Sequence, residues 1–210
     1  MEYEIKTDIV LVDIIGFSKL SSKQQLEIVT FLTKGYKKVI EKMLISSQIP
    51  LSTLILGFVS TGDGFYCILD PKLKGFGTIL GLNFSHFAGH INTKYPYFEG
   101  VKVAVHTGTV NRFIDILGNL NFIGDGLNDC SRYLEYKHFS ISTVMVSDAA
   151  YEELKNFLHY HNDFEQLLGE LQFKRSEEYI FYDKHENEKK GYLVWFRKSG
   201  IITPPKLDFI

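Results

Sequence analysis

The order of strand-like and helix-like segments predicts an α+β fold: a ferredoxin-like βαββαβ core with added C-terminal strands, its helices packed on one face of a mainly antiparallel sheet. Three observations carry this. An apolar run, Asp8 to Asp13, leads into a long amphipathic segment; two β-rich runs are joined by an Asp-Gly turn; and a further helix-then-strand succession follows. With 210 residues, 45% of them hydrophobic and only 5 prolines, the chain can bury a sizeable core and is neither disordered nor linker-rich. We expect one domain over 1–198, with a core at about 8–147 and a C-terminal extension at 148–198, and then a tail at 199–210.

Asp8 to Asp13 reads as a short buried strand, Ile15-Gly-Phe-Ser18 as a tight loop and about Ser21 to Ser47 as a long helix. Leu54 to Ser60 and Phe65 to Leu69 are β-rich runs flanking Thr61-Gly-Asp-Gly64, which places Asp63 at a hairpin tip. A second helix is expected from about Gly75 to Tyr95, weakened by its glycines. Val101 to His106 returns as a strand with Thr107-Gly-Thr109 after it, and Val110 to Phe122 reads as the outgoing arm of a further hairpin. Asp125 to Lys137 is expected to be helical, then Thr143 to Ser147 a strand and Asp148 to His159 a helix capped by Ser147 or Asp148. Glu178 to Tyr182 and Tyr192 to Phe196 read as strands around the charged turn Asp183 to Lys190, and Thr203-Pro-Pro-Lys206 as an extended or frayed tail.

Charge narrows the function classes. The formal net charge of −2, from 23 basic and 25 acidic residues, gives no electrostatic footprint for nucleic acid. The cluster Lys34, Lys37, Lys38 and Lys42 reads as the solvated face of a helix. Cys67 and Cys130 form neither a zinc pattern nor a disulfide framework, which fits a reducing cytosol. The N-terminus lacks a signal-peptide pattern, and no stretch of about 18 apolar residues is found, so a cytoplasmic protein with no membrane span is expected.

The candidate chemistry sits where apolar strands meet Gly-containing turns. Asp13 ends the first strand and Asp63 tips the neighbouring hairpin, so in such a sheet the two carboxylates can converge. Two carboxylates a few Å apart repel unless a divalent cation lies between them, and hard oxygen ligands suit Mg²⁺ or Mn²⁺ completed by phosphate oxygens. The carbonyl of Ile14 is a further donor. In the loop Gly16, Phe17 and Ser18, free backbone N–H groups at a helix start can hold a triphosphate; the alternative is that Gly16 merely makes a turn. Asn128 and Arg132 lie at i and i+4, on one helix face. Arg can neutralise charge on a phosphoryl group and Asn can hold a sugar oxygen. The alternative is an exposed helix in which Arg132 pairs with Glu135.

Four motifs occur in one order: Val12-Asp-Ile-Ile-Gly-Phe-Ser18, Gly62-Asp63, Val103-Ala-Val-His-Thr-Gly108 and Gly124-Asp-Gly-Leu-Asn-Asp-Cys-Ser-Arg132. As a set they resemble the catalytic domain of class III nucleotidyl cyclases, over roughly Asp8 to Ser147, about two thirds of the chain. The resemblance implies that Asp13, Asp63 and the Ile14 carbonyl hold two divalent cations, Mn²⁺ or Mg²⁺, that Asn128 orients the ribose and that Arg132 stabilises the transition state. It also implies a head-to-tail homodimer with two composite sites, one subunit supplying the aspartates and the other the Asn/Arg pair. Lys174, Arg175, Lys189 and Lys190 are candidates for holding the triphosphate, and Thr109 stands where some members carry Arg.

Purine cyclases of the family read the base from positions that correspond here to Val59 and Asn121, with Leu11 as an apolar wall. The Lys/Asp pair that resembles adenine reading and the Glu/Cys pair expected for guanine are both absent. One amide among apolar walls offers few partners to a purine edge, which favours a pyrimidine. In this, and in length, the chain is similar to the compact pyrimidine cyclases of bacterial anti-phage (Pycsar) systems. That likeness implies a uridylate or cytidylate cyclase whose product, cyclic UMP or cyclic CMP, activates a separate effector. The rival readings are a purine-specific class III cyclase and a catalytically inactive, cyclase-like regulatory module.

Overall fold

A computed structural model describes residues 4–45, 54–91, 94–136 and 143–197. Its centre is strand β1 (Glu4–Ile14), whose residues from Thr7 to Val12 are all buried. After a 3-10 turn at Phe17–Lys19 comes helix α1 (Ser22–Ile45), then the hairpin β2 (Ile55–Ser60) and β3 (Gly64–Leu69). Helix α2 (Phe76–Gly89) leads to β4 (Val101–Ile114), β5 (Leu120–Ile123) and helix α3 (Asp125–Tyr133). Strand β6 (Val144–Ser147), helices α4 (Asp148–Tyr160) and α5 (Asn162–Glu170), and strands β7 (Phe173–Arg175), β8 (Tyr179–Tyr182) and β9 (Glu188–Phe196) complete the order. The strands make one sheet, β2-β3-β1-β4-β6-β9-β7, with β5 paired to β4 and β8 to β9. Only the β4/β6 pairing among them is parallel, so the predicted α+β, mainly antiparallel fold is the one observed.

The helices do not all lie on one face. Helices α1, α2, α4 and α5 pack on the face formed by Val10, Val12, Val103, Val105, Val144 and Val146. Among the described residues, helix α3 is the one helix on the opposite face, where Leu127, Cys130 and Tyr133 meet Ile9, Leu11, Ala104 and Met145. The period-2 alternation of the strands forces this division, because β1 is apolar at every position from Ile9 to Val12 and so needs cover on both sides. Each fully buried Leu, Ile or Phe side chain contributes about 1.5–3 kcal/mol.

Several boundaries move. The strand expected to end at His106 continues through Thr107-Gly-Thr109 to Ile114, because β1 pairs with it residue for residue from Ile14↔Val101 to Glu4↔Asn111. The reversal comes later, where the Asp115 carboxylate accepts from the amides of Leu117 and Asn119. Helix α2 stops at Gly89, short of Tyr95. Helix α3 ends at Tyr133, and the predicted extension to Lys137 lies partly outside the described residues, as do Ser46, Ser47 and the 199–210 tail. Helix α5 and strand β7 were not anticipated, and β9 begins at Glu188, four residues before the expected Tyr192. Ser147 is the cap of α4, accepting from the Ala150 amide at 3.1 Å. Lys34, Lys37, Lys38 and Lys42 are exposed, and Lys37 pairs with Glu41 at 3.8 Å. Cys67 and Cys130 are buried free thiols on opposite faces of the sheet. Among the described residues no helix is long and apolar enough to cross a membrane.

One buried carboxylate ties these layers together. Asp8 is fully buried and accepts from the Gly75 amide at 2.7 Å, the Gly77 amide at 2.9 Å and the Thr107 hydroxyl at 2.6 Å. It thereby closes the N-terminus of α2, whose own cap Gly75 has no side chain to do so. Burial pushes the Asp8 carboxyl up to about 6 against these three donors. Asp8→Ala strands all three and should cost about 2–4 kcal/mol in urea unfolding. Because the native carboxyl binds its proton more tightly than the unfolded chain, its contribution is fully present below about pH 4 and declines as pH rises through 6. The stability difference between wild type and Asp8→Asn should therefore shift by on the order of 3 kcal/mol between pH 4 and pH 7; a flat difference would give Asp8 an ordinary carboxyl.

Candidate active site

Asp13 and Asp63 are brought together by strand pairing. Asp13 faces Gly64 across β1/β3, and the Ile14 amide donates to the Asp63 carbonyl at 2.8 Å. By alternation Asp13 lies on the same sheet face as Ile9 and Leu11, the face that carries α3. Asp13 is half-buried and Asp63 exposed at the hairpin tip, where the Thr61 hydroxyl donates to Asp63 Oδ1 at 3.3 Å. Burial first, and then the negative charge of Asp63, push the Asp13 carboxyl up to about 6, opposed by Lys102 on β4. Two neighbouring carboxylates that repel fit a divalent cation. Among the described residues no group of three or more His, Cys, Asp or Glu side chains forms a metal cage. Two carboxylates and the Ile14 carbonyl are a sparse oxygen set of the kind Mg²⁺ and Mn²⁺ complete with phosphate oxygens and water.

The loop after β1 differs from expectation. Gly16 is left-handed at φ 67° and starts the 3-10 turn at Phe17–Lys19 instead of opening α1 directly. The Lys19 amide bonds to the Gly16 carbonyl at 2.9 Å, which leaves the Phe17 and Ser18 amides as the first N–H groups of the turn, without an intrahelical acceptor. The start of α1 has its own cap: Gln24 Oε1 accepts from the Ser21 amide and hydroxyl, each at 2.9 Å. The N–H groups expected to meet an anion at Gly16, Phe17 and Ser18 thus belong to the short turn and not to α1.

Helix α3 is docked by the motif Val103-Ala-Val-His-Thr-Gly108. His106 stacks on Tyr133 at 5.7 Å and its Nδ1 meets Ser147 Oγ at 2.9 Å, while burial pushes its imidazole down to about 4, so it is neutral at pH 7. Gly108 and Gly126 allow close backbone approach: a Cβ on Gly108 would meet Gly126 Cα at 2.8 Å. With Leu127, Cys130 and Tyr133 directed into the sheet, Asn128 and Arg132 project from the opposite side of the helix, away from the sheet. Asn128 is exposed. Arg132 does not pair with Glu135. Its Nη1 meets Asp129 Oδ1 at 2.7 Å and its Nε meets Asp183 Oδ2 at 3.2 Å, while Glu135 accepts from the Lys184 amide. The guanidinium is thereby anchored at the β8–β9 turn, and β9 lies three strand steps, about 14 Å, from β1.

Of the basic candidates for a phosphate clamp, Lys189 stands beside Arg132, its Nζ at 2.9 Å from the same Asp129 oxygen. Arg175 instead lies over the Tyr151 and Tyr192 rings, and Lys190 pairs with Glu188. Lys174 is exposed on β7 and Thr109 half-buried on β4. Composition could not single out Lys189, because its nearness to Arg132 arises from β9 passing beneath α3.

The residues expected to read the base lie on β2 (Val59), β5 (Asn121) and β1 (Leu11). Val59 on β2 is half-buried against the second core, and β5 crosses it through Phe122, whose ring lies against Gly57. Asn121 on β5 is half-buried and accepts the Phe122 amide at 2.8 Å through Oδ1. Leu11 is 3% exposed, packed beneath α3, so it is the floor of this region and not a surface wall.

No protein-family model and no curated protein matches the chain. Solved structures do. The catalytic core of a rhodopsin-guanylyl cyclase with converted specificity, in complex with ATPαS, superposes with a TM-score of 0.64 at 15% identity over 92% of this chain and 97% of that one. Guanylyl cyclase Cya2 gives 0.64 at 11% identity over 97% and 100%. The adenylyl cyclase CyaB from P. aeruginosa gives 0.60 at 15% identity over 95% and 100%. At such identities the likeness is one of architecture: this chain has the fold of adenylyl and guanylyl cyclase catalytic domains.

The raised Asp13 carboxyl sets an expectation for cation binding. Metal requires the ionised form, so Mn²⁺ affinity measured by calorimetry should be level above pH 7 and fall about tenfold per pH unit well below 6. In Asp63→Asn the loss of the neighbouring charge should move the Asp13 titration midpoint, followed by NMR, to lower pH; an unmoved midpoint would leave burial as the sole cause.

Proposed function

We propose that this protein is a pyrimidine nucleotide cyclase that converts UTP or CTP to the 3′,5′-cyclic monophosphate and pyrophosphate. The observation that carries the reading is the division of the four polar residues: adjacent, repelling carboxylates at Asp13 and Asp63, and an outward-facing Asn128/Arg132 pair on a separate helix, all on a cyclase-like fold. Asp13, Asp63 and the Ile14 carbonyl would hold two divalent cations, Mn²⁺ or Mg²⁺. Such cations, when bound, lower the pKa of a ribose 3′-hydroxyl and screen the triphosphate charge. The Phe17 and Ser18 amides, presented by the left-handed turn at Gly16, hold phosphate oxygens. Asn128 fixes the ribose so that the 3′-oxygen lies in line with the α-phosphorus, and Arg132 offsets the charge that develops there as the bond to pyrophosphate breaks. Lys189, beside Arg132, extends the positive surface toward the leaving group.

Because Asn128 and Arg132 face away from their own sheet, the complete site requires a second copy of the chain, placed head to tail so that each subunit's pair meets the other's aspartates. The β4–β5 hairpin supports this assembly: Ile114, Ile116, Leu117, Leu120 and Ile123 are 49–100% exposed and form an apolar surface next to Asn121 and α3. That β9 of the C-terminal extension is hydrogen-bonded into the same sheet as β1 supports reading 1–198 as one domain.

Pyrimidine specificity rests on Val59 and Asn121. With Oδ1 engaged by the Phe122 amide, Asn121 presents a donor, which suits a base carbonyl and favours uracil O4 over the cytosine amino group. The structural relatives named above are guanylyl and adenylyl cyclases, and none carries the pyrimidine assignment. By its resemblance to compact anti-phage cyclases, the product is a second messenger for a separate effector protein in the cytoplasm.

Purified protein given Mn²⁺ and equimolar ATP, GTP, CTP and UTP should yield cyclic UMP or cyclic CMP by mass spectrometry. Cyclic AMP or cyclic GMP would overturn the base assignment and keep the chemistry; no cyclic product from folded protein would favour a regulatory module. Asp13→Ala and Arg132→Ala should each abolish turnover without loss of fold. Mixed in equal amounts, these two dead variants should recover about a quarter of wild-type activity, since half the dimers are mixed and one of their two sites is intact. No recovery in exchanging dimers would sink the composite site.

A further inference from the structure

We propose that Asp183 is a positioning residue that orients the Arg132 guanidinium for phosphoryl chemistry, a role that rests on the cyclase function proposed above. Asp183 follows the last residue of β8, 51 positions beyond Arg132, and its side chain is wholly buried from solvent. Its Oδ1 accepts from the His185 amide at 2.8 Å and the Asn187 amide at 3.0 Å, and the Asn187 side-chain amide approaches both oxygens at 3.3–3.4 Å. The turn is further closed by the Asp183 amide donating to the Asn187 carbonyl at 3.1 Å and the Glu186 amide donating to the Asp183 carbonyl at 2.9 Å. One oxygen is therefore saturated by a tight turn, and the other meets Arg132 Nε at 3.2 Å.

This geometry differs from that of an exposed ion pair, in which two long side chains share a contact neither holds rigidly. Here the carboxylate is fixed before Arg132 arrives. The second anchor, Asp129, is on the same helix as Arg132 and divides its Oδ1 between Arg132 Nη1 at 2.7 Å and Lys189 Nζ at 2.9 Å. A single contact from Asp129 would leave the guanidinium plane free to turn about that bond. Contacts to Nε and Nη1 from carboxylates on two different elements fix the plane, and the remaining three of the five guanidinium donors stay available for a phosphoryl oxygen. The C-terminal extension thus contributes to the site through a carboxylate that touches no substrate.

The test is steady-state kinetics with whichever triphosphate the wild-type protein cyclises, on Asp183→Asn, Arg132→Lys and the double variant. Asp183→Asn should lower kcat roughly 30- to 100-fold, as expected for a displaced transition-state group, with KM changed less than about threefold. In the Arg132→Lys background, where no planar fork remains to be oriented, adding Asp183→Asn should change kcat less than about twofold. A merely structural role predicts the same proportional loss in both backgrounds, and that result, or a single variant with kcat within twofold of wild type, would overturn the proposal. Should circular dichroism show Asp183→Asn to be unfolded, Asp183→Glu, which keeps the charge and displaces it by a methylene, is read by the same criteria. Wild-type protein that is folded yet makes no cyclic nucleotide overturns the function itself, and this role with it.

Discussion

Strand β1 is the constraint on which the remainder depends. It is hydrogen-bonded along both edges, to β3 and β4, and apolar on both faces from Ile9 to Val12, so it can lie only in the middle of a sheet with helices above and below. It carries two carboxylates of opposite orientation, Asp8 in its middle and Asp13 near its C-terminal end. Asp8 points with Val10 and Val12 toward α2, and Asp13 points with Ile9 and Leu11 toward the face of α3. A slip of one residue in register would exchange these faces, turning Asp13 into the face of α2 and moving Asp8 away from the helix terminus it closes. Fold and site are therefore specified by the same pairing.

The two aspartates also show how one direction of pKa shift serves different ends. Both carboxyls are raised to about 6, with burial the first cause in each. Asp8 answers its burial with three hydrogen-bond donors and is a structural joint. Asp13 has the charge of Lys102 to offset its burial and a second carboxylate to worsen it. A partly buried, repelling pair at a strand end is a poor stabiliser and a good recipient for a cation.

Helix α3 makes the complementary arrangement with basic groups. Small residues at Gly108, Gly126 and Cys130 let it sit close to the sheet, so its outward side is free to carry charge. Arg132 and Lys189 are balanced by Asp129 and Asp183, and burial of the Asp183 side chain is tolerated because amides of its own turn hold the carboxylate in its charged form. The resulting network joins α3, near the middle of the chain, to the β8–β9 turn near its end, so the C-terminal strands are tied to that helix.

Much of this was legible in the residues. Asp13, Asp63, Asn128 and Arg132 stand in short motifs bound to local turns and helices, and local geometry places such residues at strand ends and on helix faces without help from distant chain. Most strands and their order, β7 excepted, were likewise visible, since period-2 apolar runs broken by glycine turns are a property of adjacent residues. What the sequence could not decide was anything settled by long-range pairing. Thr107-Gly-Thr109 reads as a break, yet β1 on its flank keeps it extended. Helix α3 could have joined the others, yet an apolar β1 demanded cover on its second face. The capture of Arg132 by Asp183, the selection of Lys189 over three other basic residues and the closure of α2 by Asp8 all join residues 51 to 69 positions apart. The sequence by itself determined which groups could do chemistry, because residue type and local turn are encoded together; the tertiary structure alone decided which of them meet, because contact across a sheet depends on register and packing that no short window contains.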